Sequence, residues 1–160
     1  KNTVEYNDSR NQIPLGRILE VSRDFDTTNL KRLISRGHGV DFGNGSHFMS
    51  PLGEAIEHGN DEGVKVLIQA GANVNGIRGQ KSHLMWAVSL GNDLIVSSLL
   101  RAGADTRHVD VNGDTALSMC KSPEIKKKLN HHEYLRHRML LICLSRKGLP
   151  LELSLLIWEL

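Results

Sequence analysis

The sequence predicts an all-α solenoid of about four helix-turn-helix repeats, followed by C-terminal helices. The first observation is a period. Ser50-Pro51-Leu52-Gly53-Glu54-Ala55 matches Ser82-His83-Leu84-Met85-Trp86-Ala87 and then Thr115-Ala116-Leu117-Ser118-Met119-Cys120, so leucines 52, 84 and 117 fall 32 and 33 residues apart. The second is that other landmarks keep the same offset. Gly59-Asn60 returns as Gly91-Asn92, and Val66-Leu67-Ile68-Gln69-Ala70-Gly71-Ala72-Asn73 returns as Ser98-Leu99-Leu100-Arg101-Ala102-Gly103-Ala104-Asp105, both 32 residues on. A weaker copy lies upstream, in Leu15 to Ile18, Leu30 to Gly37 and Val40-Asp41. Such self-similarity marks stacked repeats. The third is a core with few rings. At 4% aromatics the interior must be filled by Leu, Ile, Val, Ala and Met, which suits helices packed closely on helices.

Each unit carries its own start and stop signals. Pro51 suits the first turn of a helix, where its missing N–H is not needed. Leu52, Ala55 and Ile56 recur at i, i+3 and i+4, the spacing of one buried stripe. Gly59 ends that helix, and Asn60 or Asp61 caps the next. The second helix continues through Gly63 and Val64 to Ile68, and Gly71 stops it where a left-handed residue is wanted. The next unit repeats the plan with Leu84, Ala87 and Val88, Gly91, Asn92 as cap, then Leu94, Ile95, Leu99, Leu100 and Gly103. Small residues at Ala55 and Ala87 let paired helices approach closely. The repeats span about 14–41, 50–75, 82–108 and 115–130, an array over 14–130 preceded by a polar segment 1–13. The fourth is cut short: Lys121-Ser122-Pro123 stands at the expected Gly turn, and its second helix reads only Glu124 to Leu129. Asp41 to Met49 stretches the first interval to 37 and reads as a Gly-rich loop insertion. No strand precedes it and no Lys-Ser/Thr follows, as a phosphate-cradling loop requires. Each unit buries one face only, so it needs its neighbours.

These landmarks resemble the ankyrin repeat, with its period of about 33, its T-P-L-H-x-A signature, a Gly after the first helix and a Gly-Ala-Asp/Asn end. No copy has the full Thr-Pro-Leu-His. The resemblance implies that linkers such as Asn73 to Lys81 form projecting β-turn fingers. It also implies that a partner protein meets the finger tips and the inner helices. Carried onto this chain, the finger positions are Ile77, Arg78, Gly79, Gln80 and Lys81, then Val109, Val111, Asn112 and Asp114. The inner-helix positions are Glu57, His58, Ser89 and Leu90. Trp86 falls at the x of the signature, where Trp serves either as an interface hot spot or as packing between repeats. Ile77 and Leu90 are the apolar residues expected to be exposed for a partner. Asn75, with Val74 one before it and Leu67 eight before, is similar to finger asparagines that an oxygenase hydroxylates in animal cells. The implied function is a protein-binding scaffold and not an enzyme. A regulatory array within a larger protein is the other role the resemblance allows.

From His131 to Leu160 the repeat pattern is lost. Tyr134 to Ser145 reads as a helix with Leu135, Met139, Ile142 and Cys143 on one stripe, ended by Arg146, Lys147 and Gly148. Pro150 opens a second helix, in which Leu149, Leu153, Leu156, Ile157 and Leu160 recur at helical spacing. Leu149-Pro150-Leu151-Glu152-Leu153, with Ile157 four later, resembles the opening L-P-x-E-L-x-x-x-I of an F-box. Ankyrin arrays with such an ending are known among poxviral host-range proteins, where it recruits a Skp-type adaptor of a cullin ubiquitin ligase. That resemblance makes Leu149, Pro150, Glu152, Leu153 and Ile157 the adaptor-binding residues and the chain a substrate receptor. A SOCS box, another tail that follows ankyrin arrays, is met only by Met139-x-x-x-Cys143. Otherwise residues 131–160 are a hydrophobic helix pair that caps the last repeat.

The totals narrow the rest. Hydrophobic residues at 39% and charged residues at 24% fit a globular chain and not a disordered one. The chain opens on Lys1 and not Met, which reads as a fragment or a processed product, and polar Lys1 to Gln12 has no apolar core of a signal peptide. Lys121 to Gly148 holds eight Lys/Arg against two Glu; that local +6, against +2 overall, leaves −4 for the remainder. Tyr134 is the only aromatic there, so no nucleic-acid partner is expected. Arg146 and Lys147 break the apolar run, so no membrane span is expected. Cys120 and Cys143 are too few for a disulfide framework and read as small core residues, which suits the cytoplasm or nucleus. His131, His132, Glu133 and His137 lie close, but adjacent histidines point about 100° apart on a helix and nothing completes a metal site. No nucleophile triad, paired carboxylates or Walker-type loop stands out, and no cofactor is implied.

Overall fold

An isolated helix needs about 12–15 residues to hold in water. Helices α1 (Gly16–Arg23), α2 (Thr27–Ser35), α3 (Pro51–Glu57), α4 (Asp61–Gln69), α5 (His83–Leu90) and α6 (Asp93–Arg101) are all shorter. The computed structural model describes residues 16–41 and 50–146, and it shows what sustains them. Helices pair within each repeat, α1 with α2, α3 with α4 and α5 with α6. The last pair is a single-turn α7 (Ala116–Met119) with a long α8 (Pro123–Arg146). Inner helices α1, α3, α5 and α7 stack in chain order, and outer helices α2, α4, α6 and α8 do the same. The predicted all-α solenoid is the observed one. Its core is one continuous cluster, with Leu52, Ala55, Ile56, Leu84, Ala87 and Leu99 buried and Ile125 and Leu129 at its end.

The start and stop signals act as the residue types require. Asp26, Ser50, Asn60, Ser82, Asn92 and Thr115 each cap a helix by accepting a backbone N–H three residues on. Gly59 and Gly91 turn the chain between paired helices at φ +71° and +72°. The first repeat puts Phe25 at that position, with φ +61° and its ring more than half exposed. A bulky side chain in this region is strained, and no buried packing offsets it.

Four readings change. The first interval is 34 residues and not 37, since Phe25 stands where Gly59 does and buried Ile18 where Leu52 does. The fourth repeat and the tail do not contain separate helices over 124–129 and 134–145, because α8 runs unbroken from Pro123 to Arg146. No Gly or Pro interrupts residues 124–147, and at the join Glu133 accepts from Thr106 and pairs with Arg136. Leu94 is exposed and not part of the buried stripe, since it sits in the first turn of α6, where the preceding repeat carries Glu62. Cys143 is exposed and Cys120 half-buried, so neither is a fully buried core residue in the described structure. The polar segment 1–13, most of the Gly-rich insertion and Leu149 to Leu160 lie outside the described residues.

Two buried polar side chains tie one repeat to the next. Asn60 accepts from Gly63 N–H at 2.8 Å and donates through Nδ2 to the Ser22 carbonyl of the preceding repeat at 2.8 Å. Gly63 leaves room for this arrangement, since a Cβ there would lie 2.5 Å from Asn60 Nδ2. His83 is buried under the finger that precedes its helix, with Nε2 3.2 Å from Ser50 Oγ of the repeat before. Gly76 presses on its ring, since a Cβ there would fall 2.5 Å from Cε1. Burial pushes the His83 imidazole below its ordinary pKa, partly opposed by the Val74 and Asn73 backbone and the Asp41 charge.

Replacing Phe25 by Gly is expected to stabilise the array by about 1 kcal/mol in urea unfolding, through relief of the left-handed strain. Asn60→Ala is expected to cost about 2–4 kcal/mol, because it removes a cap and strands the Ser22 carbonyl. The unfolded chain protonates His83 near its ordinary 6.5, and the folded chain only at lower pH. Stability therefore falls as pH drops below that value, with a limiting slope of about 1.4 kcal/mol per unit from this group. His83→Gln is expected to flatten that part of the stability–pH profile relative to the parent, read by denaturant titrations from pH 7.5 downward.

Candidate functional site

Stacking decides which side chains of the inner helices reach the surface. On α5 only Trp86, Ser89 and Leu90 are not fully buried; on α3 and its C-cap only Glu54, Glu57 and His58. The two trios are 32 residues apart and repeat at i, i+3 and i+4, so they form matching stripes on adjacent helices. On α1 and the turn after it, Glu20, Arg23 and Asp24 are the exposed counterparts. Glu57, His58, Trp86, Ser89 and Leu90 thus share one face. The sequence reading missed Glu54, whose signal was its alignment with Trp86.

The finger of the second repeat closes onto this face. Strands β1 (Ile77–Arg78) and β2 (Lys81–Ser82) pair antiparallel, Ile77 with Ser82 and Arg78 with Lys81, about a two-residue turn. Gly79, at φ +62°, supplies the left-handed backbone that such a turn demands. The hairpin sets Arg78 over the Trp86 ring at 4.9 Å from its centroid, with Lys81 Nζ at 5.7 Å. Arg78 also forms an ion pair with Glu57 of α3. Four of the residues singled out in the sequence, Glu57, Arg78, Lys81 and Trp86, are thereby one contact group. Trp86 packs beneath the finger and is half-buried. Cations over an indole face contribute about 0.5–1 kcal/mol each at such partly exposed sites.

Neighbouring fingers are joined by backbone-directed side chains. Asp41 accepts from Asn73 N–H at 2.8 Å, and one repeat later Asn75 accepts from Asp105 N–H at 2.8 Å. Asn75 is exposed, and its amide oxygen is committed to this ladder. His108 Nε2 meets the Gln80 carbonyl at 3.2 Å. In the third finger Asp110 accepts from the N–H groups of Asn112 and Asp114 at 2.8 and 3.0 Å, which curls the tip. That tip leaves Val109 and Val111 exposed, as the second finger leaves Ile77 and α5 leaves Leu90.

The face offers little to a metal ion. Ligand atoms of Glu54, Glu57 and His58 come within 4.8 Å of one another. Glu57, however, is already paired with Arg78, and His58 Nδ1 lies 3.0 Å from the Glu54 carbonyl. On the outer helices, a shallow open groove of about 270 Å³ lies among Lys65, Ile68, Gln69, Ser98, Arg101 and Ala102. No helix among the described residues is long and apolar enough to cross a membrane.

A family model for ankyrin repeats in three copies matches residues 18–110 and again 55–134. The chain is also similar to BRCA1-associated RING domain protein 1 of Caenorhabditis elegans, at 38% identity over 81 residues. That alignment covers 49% of this chain and only 12% of the relative, so the likeness reaches a small part of that protein. Repeat period, capped helix pairs, finger ladder and a family match across most of the length agree: this chain belongs to the ankyrin-repeat family, whose arrays are in general modules for protein–protein interaction and not catalysts.

Proposed function

We propose that the chain binds a partner protein across the inner helices and fingers of its second and third repeats. One observation carries this reading: Arg78, paired with Glu57, and Lys81 lie over the half-buried Trp86 ring, while Ile77 and Leu90, and Val109 and Val111 of the next finger, are exposed. A large ring that is already immobile loses little side-chain freedom on binding, and apolar neighbours exclude water around it. Gln80, Ser89, Asn112 and Asp114 supply polar groups at the margin, and Glu57 and His58 extend the face toward the first repeat. The F-box-like residues Leu149, Pro150, Glu152, Leu153 and Ile157 lie outside the described residues, and the proposal for the array does not depend on them.

The test begins with capture of partners from a cell lysate on the intact chain, followed by affinity measurement with the purified partner. Trp86→Ala, Leu90→Asp and Ile77→Asp are each expected to weaken binding about tenfold or more, while Arg101→Glu on outer helix α6 leaves it within about twofold. Loss with Arg101→Glu alone moves the contact to the outer helices and overturns the proposal. Capture on a chain ending at Gly148 reads separately whether a Skp-type adaptor depends on the tail.

A further inference from the structure

The last helix is far longer than its place in the stack requires. At about 1.5 Å per residue, α8 spans some 36 Å, against about 13 Å for the nine-residue α6 it packs on. Ile125 and Leu129 seat its first turns in the core, and Lys128 reaches Asp93 and Ser97 of α6 at 2.5 and 2.8 Å. Further along, half-buried His132, Glu133 and Arg136 take over the array side, where Glu133 accepts from Thr106 and pairs with Arg136. The array side of the helix thus turns polar, and the outward side is a separate surface.

That outward side combines cations with apolar residues. At about 100° per residue, Lys127, His131, Tyr134 and Arg138 fall within about 60° of one another, directed away from Ile125 and Leu129. All four are exposed. Leu135, Met139 and Ile142 form the adjoining line and are 42%, 61% and 42% exposed. Leu140, on the other flank, is half exposed, so the distal helix is a ridge and not one wall of a groove. The helix carries six Lys/Arg against two Glu. Lys128 is paired with Asp93 and Arg136 with Glu133, which leaves Lys126, Lys127 and Arg138 without an acidic partner among the described residues.

The mixture selects among surfaces that attract cations. Nucleic acid would satisfy Lys127 and Arg138 but set Leu135, Met139 and Ile142 against a charged backbone. A second copy would bring one cation line against another. An anionic lipid surface suits both parts, because its phosphate and carboxylate headgroups lie directly above acyl chains. We propose that the outward face of α8, from Lys127 to Ile142, docks on an anionic membrane surface. The helix lies in the interface, with Lys127 and Arg138 among the headgroups and Leu135, Met139 and Ile142 at the acyl boundary. It rests on the bilayer without crossing it, as a helix too polar to span must. The inference is independent of the partner site, which uses the inner helices and fingers.

Flotation of the intact chain with lipid vesicles tests this, using phosphatidylcholine alone and phosphatidylcholine with about 30% phosphatidylserine. The proposal expects binding to the anionic vesicles, binding to the neutral ones at least about tenfold weaker, and release as sodium chloride rises toward about 0.5 M. Lys127→Gln with Arg138→Gln, and separately Leu135→Gln with Met139→Gln, are each expected to weaken binding about tenfold, with helix content by circular dichroism unchanged. Lys31→Gln with Arg36→Gln removes the same charge from the first repeat and is expected to leave binding within about twofold. Leu153→Asp with Ile157→Asp is likewise expected to leave it within about twofold. Absence of binding to the anionic vesicles overturns the proposal, as does equal binding to both kinds. Equal loss from the first-repeat pair reduces the attachment to net charge and overturns it. Loss from the pair at 153 and 157, without loss from either α8 pair, overturns it and assigns the attachment to the tail. A dimer in sedimentation that Leu135→Gln with Met139→Gln disperses also overturns it, and gives the face to a second copy.

Discussion

Everything in this chain rests on burial shared between neighbouring repeats. Helices of seven to nine residues cannot stand alone, and each repeat has apolar residues on one side only. The core is consequently a continuous strip along the stack, from Ile18 to Leu129, and has no centre. Polar groups within that strip must also be satisfied across repeats. Asn60 and His83 do this at successive boundaries, and both are accommodated by glycines that leave them room, Gly63 and Gly76.

The same constraint creates the candidate binding face. Once both helices of a repeat are committed to their neighbours, only positions such as 86, 89 and 90 remain free on an inner helix. These are available to vary without loss of the fold, which is how one scaffold accepts many partners. Here the fingers are not independent loops. Arg78 is held by Glu57 and stacks on Trp86, and the Asp41 and Asn75 ladder fixes each finger against the next. A surface arranged in advance in this way gives up little entropy on binding.

The first and last described repeats contrast. At the first repeat, Phe25 holds a left-handed turn that its counterparts assign to glycine, which leaves an aromatic ring in solvent at a conformational cost. At the last repeat, the inner helix shrinks to one turn and the outer helix overshoots.

Much of this was legible in the sequence because the signals are local and repeat. Leu52 and Leu84, the cap residues Asn60 and Asn92, and the turn glycines Gly59 and Gly91 state helix starts, stops and buried faces within single turns. Their spacing alone determined the all-α solenoid. Other features depend on what lies opposite a residue in space. That Leu94 faces solvent, that Cys143 is exposed, and that α8 continues through His131 to Glu133 follow from where neighbouring repeats end and from the Thr106–Glu133 contact. The joining of Glu57, Arg78, Lys81 and Trp86 into one group likewise required the fold. Those residues lie up to 29 positions apart, and only the hairpin and the stacking of α5 on α3 bring their side chains within reach.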